Sequence, residues 1–173
     1  MNKKVLWITE TAVMTAVLIA LQVITKPMGQ LVTGSCVNLV LGVAAIAGGL
    51  WCGLTVAVLS PFFAFLLHIG PALFPIVPMI AIGNAVLVVV LYFMVGKKPL
   101  GGMSYVAAVA AAAAKFVTLW LLIVKLMLPM LGLPEQKMAV MSAMFTWPQL
   151  ITALIGGVIA VTIAPMIRKA LKK

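Results

Sequence analysis

From Leu31 to Val95 the chain carries no Asp, Glu, Lys or Arg. As one continuous helix that run would be ~98 Å long, about three times the hydrocarbon thickness of a bilayer. It must therefore fold back twice, and its Gly and Pro residues show where. Gly48, Gly49 and Gly53 surround a turn expected at Trp51-Cys52. His68-Ile69-Gly70-Pro71 to Pro75-Ile76-Val77-Pro78 form a second, proline-rich connection.

The rest of the chain has the same character. Its 173 residues are 65% hydrophobic, and Glu10 and Glu135 are the only carboxylates. A soluble domain of this size does not keep so little charge on its surface. The reading is a single all-α membrane domain over residues 1–173, with six transmembrane helices. These run from about Val5 to Thr25, Val32 to Leu50, Leu54 to Leu67, Met79 to Val95, Met103 to Leu128 and Val140 to Ile167. The third is short and contains Pro61. Pro129, Gly132 and Pro134, with Glu135 and Lys137, make a polar outer loop before the sixth. The first segment is too long for a cleaved signal, lacks a small-residue cleavage site before Lys26, and is followed by more spans of the same kind. No internal repeat of the kind found in many secondary transporters is visible.

Orientation follows from the cations. Lys3 and Lys4, Lys97 and Lys98, and Arg168, Lys169, Lys172 and Lys173 form three clusters at helix ends. Cytoplasmic loops collect Lys and Arg, so all three belong inside, with both termini cytoplasmic. Five or seven helices would put one cluster on the wrong side. Such helix-end cations face anionic lipid headgroups in the bilayer. Nucleic-acid binding, which needs a basic face with polar or aromatic interleaving, is excluded on this pattern. Cys36 and Cys52 would lie ~24 Å apart along a helix, against ~6 Å between the Cα atoms of a disulfide, and read as packing residues.

Lys115 is the sharpest single residue. It falls near the middle of the fifth helix, where a Lys costs ~3 kcal/mol to insert, and no carboxylate lies deep enough to pair with it. A ligand-filled or aqueous cavity and a snorkelling side chain both account for it. On the first reading, Lys115→Met removes an expensive buried charge and leaves the empty protein equally or more stable. Asn38, Asn84, Gln149 and His68 are the other polar groups at membrane depth or its edge. Each is either glue between helices or a ligand contact, and together they line the outer half of the helices. Trp120 and Trp147 are either interfacial belt residues or stacking walls. Ala12, Ala16 and Ala20 form a small-residue stripe on helix 1, a surface for close helix approach either within the chain or with a partner. The alanine-rich run from Ala107 to Ala114 is expected to pack internally. With one His, two separated carboxylates, no metal cluster and no P-loop, the chain holds no catalytic set, no cofactor and no ATPase of its own.

The helix count, the Ala12-Ala16 spacing, Val32-Thr33-Gly34-Ser35-Cys36-Val37-Asn38, Gly53-Leu54-Thr55-Val56-Ala57-Val58-Leu59-Ser60-Pro61, the proline-rich loop and Gly83-Asn84 together resemble the S-components of energy-coupling factor (ECF) vitamin transporters. The resemblance covers essentially the whole chain. It implies a multi-pass subunit of a prokaryotic plasma membrane that captures a vitamin outside and topples when docked on a transmembrane coupling protein and two cytoplasmic ATPases. It implies that Ala12, Ala16 and Ala20 meet the coupling protein. It also places Met28 to Thr33, including Gln30 and Thr33, and His68 to Pro78 over the substrate. There Pro71, Pro75 and Pro78 would stiffen a lid. Around Thr33-Gly34-Ser35 to Asn38 the chain is more similar to the cobalamin-type members, so the resemblance favours cobalamin as the substrate; Lys115 suits an anionic vitamin such as pantothenate, and also the phosphodiester of cobalamin. A small proton-coupled transporter is the alternative, with Glu10 its only candidate carboxylate.

Overall fold

The computed structural model describes residues 3–96 and 101–170, and these are helical with turns and no strand. Lys97, Lys98, Lys172 and Lys173 lie outside the described residues. Helix α1 spans Lys3–Thr25, and Pro27 in a 3-10 turn at Lys26–Met28 ends it. Helix α2 runs Gln30–Val43 and widens into a π-helical stretch at Ala44–Gly48. Helix α3 is Leu50–Leu66 with Pro61 inside it. After a loop and a 3-10 turn at Phe74–Ile76, α4 runs Val77–Val95. Helix α5 is Gly102–Leu119, continued by a π-helical stretch at Trp120–Met127 and a short turn at Leu128–Met130. Helices α6, Glu135–Met144, and α7, Trp147–Ala170, complete the chain.

Five segments are long and apolar enough to cross a membrane: Lys4–Met28, Gln30–Gly48, Phe74–Val95, Gly102–Met130 and Glu135–Ala170. Leu50–Leu66 is a shorter apolar helix, ~26 Å long against ~30 Å of hydrocarbon.

Two sequence expectations are corrected. The reversal between α2 and α3 is not at Trp51-Cys52, which both lie within α3, but at Gly49 with φ 93. Only glycine takes that conformation without strain, so one residue does what the sequence reading spread over several. The last crossing is not one helix from Val140. It breaks at Phe145 and Thr146, and α7 restarts at Trp147-Pro148. Proline supplies no N–H, which a first helical turn does not need, so Pro148 favours a new start there over continuation from α6. The expected polar outer loop is accordingly part helix, with Glu135 and Lys137 in the first turn of α6.

Helix contacts rely on small residues, because apolar side chains gain nothing over lipid by associating within a membrane. Helix α2 packs most extensively on α7, α4 on both α3 and α5, and α5 on α7. Ala107, Ala108, Ala111 and Ala112 are buried, so much of the alanine run packs internally as expected. At the α2–α7 crossing a Cβ on Gly156 would sit 2.5 Å from the Ser35 carbonyl oxygen and 2.6 Å from Asn38 Cβ. The obstacle includes backbone that cannot rotate away. Gly156→Ala is therefore expected to push α2 and α7 apart and to destabilise the protein by about 1–3 kcal/mol. A fall in thermal midpoint in detergent is the readout, and an unchanged midpoint would mean that the helices separate freely.

At one end of the bundle the Arg168 guanidinium donates to the Gly96 carbonyl oxygen at 2.8 Å, a cation meeting the carbonyl-rich end of α4. The ends of α4 and α7 therefore lie together, and the cavity described next is built at the opposite end.

Candidate functional site

A cavity of about 250 Å³ is lined by residues of α1 to α7 and of the α3–α4 loop. Its polar floor begins with Pro61. Proline has no N–H to give to the carbonyl four residues back, so the Ala57 oxygen is left without its helical partner. Asn84 Nδ2 donates to that oxygen at 3.4 Å and to Ser60 Oγ at 3.3 Å, while Ser60 Oγ itself donates to Ala57 at 3.4 Å. The proline thus fixes the amide of a residue on the facing helix. Asn38 is fixed in a parallel way, donating from Nδ2 to the Gly34 carbonyl at 2.9 Å and to Thr152 Oγ1 at 3.3 Å.

With both amide nitrogens committed, both amide oxygens face Lys115. Its Nζ donates to Asn38 Oδ1 at 2.6 Å and to Asn84 Oδ1 at 2.7 Å. Lys115 is 3% exposed, Asn38 1% and Asn84 2%, so the ammonium is held inside the bundle and does not snorkel to the interface. An ammonium has three donors, and two are used. Among the described residues that line the cavity there is no carboxylate, whereas Lys115 and Lys26 both line it. The Lys26 ammonium also donates to the Leu67 carbonyl at 3.4 Å, at the end of α3. Buried charge is ordinarily paired; here neutral amides solvate it and leave its charge uncompensated.

The walls are braced through one carbonyl. Gln30 Nε2 donates to the Met144 oxygen at 2.6 Å and Gln149 Nε2 to the same atom at 3.3 Å. That oxygen ends α6, where carbonyls lack helical partners, so the two glutamines pin Met144 and Phe145 beside the cavity. Thr33 Oγ1 donates to the Thr25 carbonyl at 2.9 Å, tying the start of α2 to the end of α1.

Of the residues singled out in the sequence, Asn38, Asn84, Lys115, Gln149, Gln30, Thr33 and Pro71 all line this cavity. The others sit elsewhere. His68 is exposed in a left-handed turn with φ 53. Trp120 lies on the π-helical stretch with Lys125 Nζ 4.9 Å from its ring centroid, and Trp147 stacks on Phe116 at 6.1 Å. Pro75 falls in the 3-10 turn and Pro78 in the first turn of α4. Gln22, Lys26, Ser60 and Thr152 belong to the site or its support and were not singled out. A lone glutamine in the apolar α1 and a serine preceding an intrahelical proline were the available signals.

A second concavity, about 400 Å³ and almost wholly apolar, lies between α1 and α3, lined by Trp7, Ile8, Ala12, Ala16, Leu59 and Phe63 among others. Ala12, Ala16 and Ala20 are exposed, so the stripe is not consumed by packing within the chain. Glu10 lines neither concavity.

Compared with known proteins, residues 10–168 match the family model described as ECF transporter, substrate-specific component. No curated protein and no solved structure matched the chain. Subunits of this kind bind substrate and are not catalytic, and ATP hydrolysis belongs to partner ATPases. With the family model spanning nearly its full length, the chain belongs to the ECF transporter substrate-specific component family.

Proposed function

We propose that the protein captures a compact, anionic, water-soluble vitamin in the Lys115 cavity and delivers it by docking on an ATP-driven module. Lys115 carries the proposal: a buried ammonium at a cavity floor with no carboxylate among the lining residues is a site that lacks only an anion. The cavity volume supports a small ligand. About 250 Å³ is just under the ~300–1,000 Å³ of pockets that hold drug-sized molecules, and a corrinoid with its nucleotide loop exceeds those. We therefore favour a ligand of pantothenate size over the cobalamin suggested by the Thr33 to Asn38 stretch.

The proposed topology has six crossings, with Leu50–Leu66 the shortest. The basic ends, including Lys97 and Lys98, face the cytoplasm and the cavity faces out. The exposed groove between α1 and α3 receives the transmembrane coupling protein, and two ATPases complete the module. Proteoliposomes holding the protein with such a module are expected to accumulate radiolabelled pantothenate or a similarly small acid, dependent on ATP. Uptake of cobalamin without competition from any small acid would reverse the assignment. Uptake driven by a proton gradient without the ATPases would favour a proton-coupled carrier instead.

A further inference from the structure

Gln22 stands apart from the other polar residues of the cavity wall. It is 5% exposed, it lines the cavity from the last turns of α1, and its Oε1 is buried without a hydrogen-bond partner. Among the described side chains that line the cavity, no other has a buried oxygen in that state. Asn38, Asn84, Lys115, Gln30, Thr33, Ser60 and Gln149 are engaged by neighbouring protein atoms. Proteins rarely leave a buried amide oxygen unsatisfied, and where one faces a cavity the missing donor belongs to whatever fills it.

We propose that the transported molecule presents an O–H or N–H donor to Gln22 Oε1 while its anionic group lies on Lys115. The inference rests on the cavity being the transport site, and it narrows the substrate class. A simple fatty or aromatic acid satisfies Lys115 but leaves Gln22 orphaned. A hydroxy acid, or an acid bearing an amide N–H, satisfies both. Selectivity against acids without a donor then comes from the cost of an unpaired buried acceptor, a stronger discriminator than shape alone. Lys26, four residues beyond Gln22 in the 3-10 turn that ends α1 and also lining the cavity, adds a second cation that draws anions in.

The test uses the full-length protein in detergent and, as probe, the low-molecular-weight fraction of yeast extract. Captured compounds are released and identified by mass spectrometry, then titrated calorimetrically against the unmodified protein and Gln22→Met, which keeps the side-chain length. The expected compound has an acidic group and a hydroxyl or N–H donor, and Gln22→Met binds it at least about tenfold more weakly. The empty Gln22→Met protein is expected to melt no lower than the unmodified one, because the variant removes an unsatisfied group and no hydrogen bond. A captured acid with no donor, equal affinity for the two proteins, or a lower midpoint for the empty variant would each overturn the role of Gln22 while leaving the transport reading standing. Failure of the unmodified protein to capture any small molecule would overturn the transport reading and this inference with it.

Discussion

Ala16→Trp is expected to abolish uptake without weakening ligand binding to the isolated subunit. Ala16 is exposed on α1 and lines the apolar groove shared with α3. Its side of α1 also carries Ile8, 57% exposed, in a groove with hardly any polar wall. A surface this apolar is at ease in lipid, so its exposure alone does not require a protein partner. The small residues are the informative part, since they let two helix backbones approach closely and gain packing contacts that lipid chains do not match. An indole at position 16 fills the groove and holds a partner helix several Å away. The cavity, at the C-terminal end of α1 around Gln22 and Lys26, shares no lining residue with the groove. Uptake in proteoliposomes should fall to background while calorimetric affinity stays within about twofold. Ala12→Trp should behave alike. Normal uptake by either variant would place docking elsewhere, and a loss of affinity would show that α1 transmits strain to the cavity.

The all-helical membrane character and the polar core were legible in the sequence because both follow from the cost of polar groups in hydrocarbon. An uncharged stretch as long as Leu31 to Val95 has to fold back within a membrane. Asn38, Asn84 and Lys115, alone among apolar neighbours, have to find one another, and they meet at the cavity floor. What sequence alone concealed is geometric. Pro61 reads as a flaw in a short helix, yet its missing N–H frees the carbonyl that orients Asn84. Gly48, Gly49 and Gly53 look equivalent until one of them takes φ 93. The tryptophans leave two readings open in the sequence because an aromatic ring near an interface is equally at home against lipid, a neighbouring ring or a ligand. Trp147 stacks on Phe116 and remains 68% exposed. Gln22 was passed over because one glutamine in an apolar helix has no periodic partner, and only the cavity gives it meaning.

Lys115→Met carries the largest expected effect on the site, and the structure reverses the sign that sequence suggested for stability. Viewed as a lone buried charge, Lys115 should be dispensable to the empty protein. Its Nζ, however, is the donor to both Asn38 Oδ1 and Asn84 Oδ1, whose amide nitrogens are committed elsewhere and hold the oxygens in place. Removing the ammonium relieves an insertion cost of ~3 kcal/mol. It also forfeits two hydrogen bonds to a charged group, roughly 1.5–3 kcal/mol each, and leaves two buried oxygens unsatisfied. The balance is a loss of about 1–3 kcal/mol, read as a lower thermal midpoint. Adding Asn38→Leu and Asn84→Leu to Lys115→Met should recover part of that loss, because the orphaned oxygens go with it. Binding of the small acid should weaken by about tenfold to a hundredfold in Lys115→Met, the worth of one charge-assisted bond. Lys115→Arg should not restore it, since a planar fork does not sit between two amide oxygens arranged for a compact ammonium. Equal affinity in Lys115→Met would show that the ammonium serves only to hold α2, α4 and α5 together, and the anionic substrate would go with it.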